Sequence, residues 1–280
     1  MRLVMLTGEG PEHRYVASVL AEQFPDDLKA IVVAPPPGQV WAGTTRYLKK
    51  YTPVQICSRV LDICYLAMTR QAVHRQQALE RQLLADGQVV TTPSRRLLRA
   101  VPSHNGTECE ALLKDVLPDI LLVYGTTIIK PHIFSLARVL ALNLHTGIAP
   151  RYRGADTIFW PLYNEEPEWV GVTVHVLDEG VDSGPVIFTG RPEIDPRDDE
   201  DHLFAKSTIV GAGLYVEAIR RVMAGTAEWR PQQIATGCQY RFVDRSVFAE
   251  MRVRRLLQDG LLARFARQTA ACEALGPGSE

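Results

Sequence analysis

The segment from Asn143 to Gly184 holds the residue types and spacings best suited to chemistry. Its first part reads N-L-H-T-G-I-A-P-R-Y-R-G, with one residue between Asn143 and His145 at the end of an apolar run. Side chains two apart on a strand point the same way, so an amide and an imidazole would face one crevice. The second part, G-V-T-V-H-V-L-D-E-G-V-D-S-G, reads as a strand leading into a glycine-flanked turn that presents Asp182. Transfer of an acyl group to an amine needs a donor for the developing oxyanion, an acceptor for the amine proton, and a group that fixes the imidazole's state. Asn143, His145 and Asp182 are sufficient, and the sequence leaves open whether His145 or Asp182 is the base. Tyr152-Arg153-Gly154 reads as a loop that braces them.

The elements that must position these groups can be read from periodicity. Leu3 to Leu6 is a short buried strand, His13 to Phe24 has helical spacing, and Leu28 to Ala34 is a second strand closed by three prolines. Strand, helix and strand in that order open a βαβ unit and a parallel sheet. Helices are expected at Val54–Met68 and Thr69–Asp86, a strand at Gln88–Thr92, and a helix from Asn105 to Val116 capped by Thr107. Strands follow at Ile120–Tyr124 and Val139–Asn143, then a short helix at Thr157–Tyr163 and strands at Val170–Leu177 and Val186–Thr189. Asp201 to Ala224 is a long amphipathic helix, and Phe248 to Ala271 a basic one. An amide and an imidazole at the end of such a strand would sit at the carboxyl edge of the sheet, where open α/β folds bind ligands.

Composition narrows the function classes. The chain has 280 residues, 46% hydrophobic and 22% charged, which excludes wholesale disorder. A net charge of −1 gives no global reason to expect nucleic-acid binding. Charge is uneven, however: Trp41 to Ala100 carries ten Lys/Arg against three Asp/Glu. The five cysteines show no CxxC pair, so neither a zinc site nor a disulfide framework is expected and a reducing, cytoplasmic setting fits. The first apolar run is too short for a signal peptide or a membrane span. Gly8-Glu9-Gly10-Pro11-Glu12-His13 has His13 where a dinucleotide loop needs its third glycine, which argues against NAD.

The pattern N-x-H-x-G/S-x-x-P-x-Y-R-G, then G-V-T-x-H, then a G-x-D-x-G turn resembles the folate-dependent formyltransferase family. The resemblance covers Met1–Val33 and Gln88–Ala224. It implies an α/β fold with a Rossmann-like, mostly parallel sheet and helices on both faces, and 10-formyltetrahydrofolate as formyl donor without a metal. Asn143, His145 and Asp182 take the family's catalytic positions, and His175, which matches a family histidine, supports the loop. The implied pteridine pocket is built from backbone around Tyr124, Gly125, Thr126 and Ile128, and around Val176, Leu177, Gly180 and Asp182. Residues 1–224 would form the catalytic domain, with a helical insertion over about 41–86, and 225–280 a small C-terminal extension.

Within that family the expected acceptor is the amine of a small molecule: an amino sugar, an amino acid or a related metabolite. A methionyl-tRNA formyltransferase is expected to carry a C-terminal β-barrel and a broad basic surface, and the residues after Ala224 read as an extended segment and a basic helix. A formyltetrahydrofolate hydrolase usually has a regulatory domain before the core, whereas the sheet here begins at Arg2. An inactive ligand-binding relative would be expected to have lost one of the three polar residues. Lys49, Lys50, Arg59, Arg70, Arg75 and Arg81 of the insertion are expected either to form a solvated face or to hold an anionic part of the acceptor. The insertion's apolar face, Ile56, Val60, Ile63 and Ala67, needs a partner surface, and a homo-oligomer is one way to supply it.

Overall fold

The computed structural model describes residues 1–35, 71–84 and 93–274. Its strands are β1 (Leu3–Thr7), β2 (Leu28–Val33), β3 (Leu98–Ala100), β4 (Ile120–Tyr124), β5 (Leu140–His145), β6 (Tyr152–Gly154), β7 (Val172–Val176), β8 (Val186–Gly190) and β9 (Cys238–Tyr240). Its helices are α1 (Pro11–Gln23), α2 (Gln71–Leu84), α3 (Thr107–Val116), α4 (Pro131–Phe134), α5 (Phe159–Tyr163), α6 (Glu200–Ala224), α7 (Val247–Gln258) and α8 (Leu261–Ala274). The main sheet runs β3-β2-β1-β4-β5-β7-β8. It is parallel from β3 to β5, and β7 and β8 are then added antiparallel. β6 and β9 form a separate parallel pair.

The central strands β1 and β4 are buried at every position because both faces of the sheet are covered. Leu3 and Met5 of β1 pack with Val16 and Leu20 of α1, Leu79 and Leu83 of α2, and Tyr215 and Ile219 of α6. Val4 and Leu6 face the other way, onto Cys109 and Leu113 of α3 and Ile133 of α4. Each such fully buried aliphatic side chain stabilises the fold by about 1.5–3 kcal/mol. Tyr215, wholly buried, fixes the long helix to the strands that carry the site: its hydroxyl donates to the Leu142 carbonyl at 2.9 Å and accepts from the Val123 N–H at 2.8 Å.

The segment after α6 has a core of its own with α5. Ala249, Val253, Leu261 and Leu262 bury against Phe159, Trp160 and Leu162. The basic helix expected over Phe248–Ala271 is two helices, because Gly260 breaks it with φ +78°. The expected helices at Thr69–Asp86 and Asn105–Val116 stand as α2 and α3, but Thr107 is not a cap. Gly106 holds that position, and the neighbouring Asn105 side chain instead donates to the Ile128 carbonyl and accepts from the Lys130 N–H. The edge strand is β3, paired with β2 at Ile31↔Leu98; it is short and exposed, which is why periodicity did not reveal it. The strand expected at Gln88–Thr92, the helix at Val54–Met68 and the apolar face Ile56, Val60, Ile63 and Ala67 lie outside the described residues. None of the described helices is long and apolar enough to cross a membrane.

Candidate active site

Strand alternation does what the spacing of Asn143 and His145 requires. On β5, Leu142 and Leu144 enter the core under α6, while Asn143 and His145 turn to the opposite face at the strand's carboxyl end. The antiparallel β7 sets His175 directly across from Asn143. The loop after β7 then carries Asp182 over them, in a left-handed conformation with φ +48°. Within that loop the Asp178 carboxylate accepts from the Gly180 N–H and the Ser183 hydroxyl, closing the turn. Gly184 is obligatory there, since a Cβ would lie 1.8 Å from the Val176 carbonyl.

Four polar side chains therefore meet in one place. The Asn143 amide nitrogen donates to Asp182 Oδ1 at 3.1 Å and to His175 Nε2 at 3.0 Å. His175 Nδ1 lies 2.9 Å from the Val176 carbonyl, which can only accept. His175 is thus the Nδ1–H tautomer, and its Nε2 lone pair orients the amide. His145 Nε2 lies 3.0 Å from the Tyr152 carbonyl and so carries a proton, while Nδ1 faces Asp182 Oδ2 at 3.5 Å. The same Oδ2 accepts the Gly154 N–H at 2.9 Å. Burial alone would raise the Asp182 carboxyl, but the His145 and His175 rings in their protonated forms, with the Gly154 N–H, outweigh it and hold the carboxyl well below the ordinary range. Asp182 is therefore a carboxylate at any physiological pH.

Tyr152-Arg153-Gly154 reaches this centre by three routes: the Tyr152 carbonyl on His145, the Gly154 N–H on Asp182, and Arg153 Nη1 donating to the Val181 carbonyl at 3.0 Å. Gly154 has φ +93°, and a Cβ there would lie 2.1 Å from the Tyr240 carbonyl. Only glycine lets β6 approach β9 this closely.

Asn143, His145 and Asp182 open onto a crevice of about 530 Å³ at the carboxyl edge of the sheet, with His175 buried behind them. Of the residues expected to form the pteridine pocket, Tyr124, Gly125, Thr126, Ile128, Leu177, Gly180 and Asp182 line it. Val176 does not: its N–H pairs with the Pro185 carbonyl, its own carbonyl with His175, and its side chain packs on the core. Gly125, with φ +59°, leaves room for His13, whose Cε1 would lie 2.2 Å from a Cβ. Val123–Ile129 and Leu177 form one wall of the crevice.

The Gly8–His13 loop lacks a dinucleotide motif but brings His13 to the crevice wall, 2.9 Å from Thr7 Oγ1 and with its ring 5.3 Å from Tyr124. Burial lowers its pKa despite the neighbouring Glu12. Gln239, Tyr240, Arg241 and Phe242 also line the crevice, from a segment whose pattern is too weak to read. Arg75 does reach the crevice, but its guanidinium is held by Glu200 at 3.1 Å and Asp201 at 3.7 Å and lies over Phe204. It is therefore already paired and is not a free anion receptor. Arg81 donates to the Gln77 carbonyl on its own helix, and Lys49, Lys50, Arg59 and Arg70 lie outside the described residues.

An amide, two imidazoles and a buried carboxylate are gathered at the carboxyl edge of a doubly wound sheet, groups of the kind that acyl transfer needs. The sequence pattern of the formyl transferase family matches residues 1–219, and the chain belongs to that family. Among curated relatives, the methionyl-tRNA formyltransferase of Chlorobium chlorochromatii is 36% identical over 115 residues, covering 41% of this chain and 36% of that protein. That of Kosmotoga olearia is 33% identical over 153 residues, 51% of this chain and 49% of the relative. The chain thus aligns with less than half the length of these relatives. Among solved structures, a 4-N formyltransferase from Francisella tularensis superposes with a TM-score of 0.55 at 14% identity, over 87% of this chain and 77% of that one. The Helicobacter canadensis N-formyltransferase, solved with folinic acid and dTDP-3-aminofucose, gives 0.54 at 16% identity, over 92% and 81%. At these identities the structural likeness concerns the fold.

Proposed function

We propose that this protein transfers the formyl group of 10-formyltetrahydrofolate to the amine of a small acceptor, with Asn143, His145 and Asp182 as the catalytic residues. The observation that carries this reading is the cluster of Asn143, His145 and Asp182 lining one crevice, with His175 on the Asn143 amide, in a chain of the formyl transferase family. The formylated folate supplies an electrophilic carbonyl carbon when bound. Tyr124–Ile128, Leu177 and Gly180 would hold its ring.

The hydrogen-bond pattern divides the roles. Because Nε2–H of His145 is anchored on the Tyr152 carbonyl, Nδ1 is the atom left to take the proton of the attacking amine. Asp182 is held too far below the ordinary carboxylate range to be an effective base near neutral pH. It serves instead as counter-ion to the imidazolium formed 3.5 Å away. The new C–N bond forms as negative charge gathers on the formyl oxygen. Asn143 donates to that oxygen by releasing its 3.1 Å bond to Asp182, with its amide kept in orientation by His175. His145 then returns the proton to the departing folate nitrogen. The protons balance, and the protein ends as it began.

A second reading keeps the same centre and changes the acceptor to aminoacylated tRNA. The named function of the curated relatives favours it, and the sugar-nucleotide complex of the Helicobacter canadensis neighbour favours the small acceptor. Supplying the purified protein with formylfolate and either an amino-sugar nucleotide panel or charged initiator tRNA distinguishes them. Formylation of tRNA alone would overturn the small-acceptor reading.

A further inference from the structure

We infer that Gln232, beyond the part of the chain matched to the family, is a positioning residue that clamps the Asp182 turn in its working conformation. The inference rests on the proposed role of Asp182. The turn is conformationally costly: Asp182 is a non-glycine residue at φ +48°, a region that favours glycine. Such a conformation persists only where its surroundings over-determine it. The Asp182 carboxylate accepts from the Asn143 amide and the Gly154 N–H, contacts of the side chain that leave the backbone to be fixed by something else.

Gln232 supplies that. Its amide nitrogen donates one hydrogen to the Asp182 carbonyl at 3.0 Å and the other to the Gly184 carbonyl at 2.6 Å, bridging the residue on either side of Ser183. Two carbonyls facing one terminal group leave only the nitrogen orientation possible, since an oxygen there would meet two acceptors. The amide oxygen is buried without a partner, as expected if the side chain is held by its donor end. Gln232 is in turn delivered by the backbone: Arg230 and Val186 exchange two 2.8 Å hydrogen bonds, stitching this segment onto the start of β8. After it, Gly237 passes so close to the Pro150 carbonyl that a Cβ would lie 1.5 Å away, leading into β9. Arg153 holds the preceding carbonyl, that of Val181, from the other side. The turn carrying Asp182 is thus gripped between β6 and the segment after α6.

The test uses the full chain and reads the turn itself rather than turnover alone. In the wild type, side-chain amide protons of Gln232 should exchange slowly with solvent, and fast exchange overturns the clamp without any variant. Gln232→Met keeps length and neutrality and removes both donors; Gln232→Ala removes the side chain outright. In either, Asp182 should relax away from His145, His175 and the Gly154 N–H. Its carboxyl, followed by carbon-detected NMR, should then titrate nearer the ordinary value of about 3.9, with the imidazole resonances of His145 and His175 shifting in step. Turnover should fall about ten- to a hundred-fold with little change in KM for formylfolate, as for a misplaced reacting group. Unchanged Asp182 titration and imidazole resonances in both variants overturn the inference and leave the formyl-transfer reading standing. A shifted titration in protein that neither binds nor uses formylfolate would uphold the clamp and reject that reading instead.

Discussion

Replacement of Arg245 by methionine tests how the segment after α6 is held against α5 and the start of α6. The Arg245 guanidinium donates to Glu200 at 2.9 and 2.8 Å, to Asp156 at 3.0 Å and to Glu250, and lies 3.9 Å over the Phe159 ring. The side chains of Arg245, Glu200, Asp156 and Glu250 are only 10%, 15%, 20% and 14% exposed, so little water replaces a lost partner. Burial would raise the Glu200 carboxyl, and Arg245 with Arg75 outweighs it and holds it low. Methionine fills much of the volume but removes the donors to Glu200 and Asp156, with Arg75 remaining for Glu200 at 3.1 Å. Breaking a buried ion pair from one side costs about 3–5 kcal/mol. At roughly 2–4 °C per kcal/mol for a domain of this size, Tm should fall by about 6–20 °C. The loss should also depend on pH. In the variant burial prevails, the native carboxyls rise above their unfolded values, and the cost is fully present above those native values. It is relieved as pH falls through them, so melts at about pH 7.5 should show a larger deficit than melts at about pH 5. Adding Glu200→Gln to the variant should recover part of the loss. A deficit under about 1 kcal/mol, or one that does not vary with pH, would refute this account of the network.

Gly154→Ala should destabilise by about 2–4 kcal/mol, read as a lower midpoint in denaturant, because φ +93° disfavours a side chain and the Tyr240 carbonyl leaves no room for one. Asn143→Ala and His145→Ala should each lower turnover by about 10²-fold or more while the melting curve still shows a cooperative fold, and near-normal turnover in either would remove that residue from the mechanism. Asp182→Asn should lose stability at neutral pH. The wild-type carboxyl is depressed, so its contribution is present above its unfolded value of about 3.9 and vanishes as pH falls through the lower native value. The stability gap between the two proteins should therefore close in acid, and a gap that widens there would contradict the assignment.

Much of this was legible in the sequence where local periodicity and burial agree. β1, β2 and β4 are short runs, apolar but for Thr7 and Lys29 and bounded by turn residues, and the two-residue spacing of Asn143 and His145 carries directly to a shared crevice. The illegible parts depend on contacts distant in sequence. His175 reaches Asn143 only through the antiparallel register of β7, and β9 pairs with β6 across an interval with no pattern linking them. Gln232 and Arg245 read as ordinary polar residues in a weak stretch, because their significance lies in the groups they meet, 50 and 45 residues away. Arg75 shows the converse. Its charge was plain in the sequence, but the carboxylates that neutralise it come from α6.

The most direct test of the central claim is a formyl-transfer experiment with isotopically labelled formyl-tetrahydrofolate, the full chain and candidate amines. It follows both release of tetrahydrofolate and appearance of label on the amine. The account predicts that the two rise together, only when an amine is present, and that His145→Ala abolishes both while still binding the folate. Release of tetrahydrofolate without label on any amine, or transfer undiminished in His145→Ala, would contradict it.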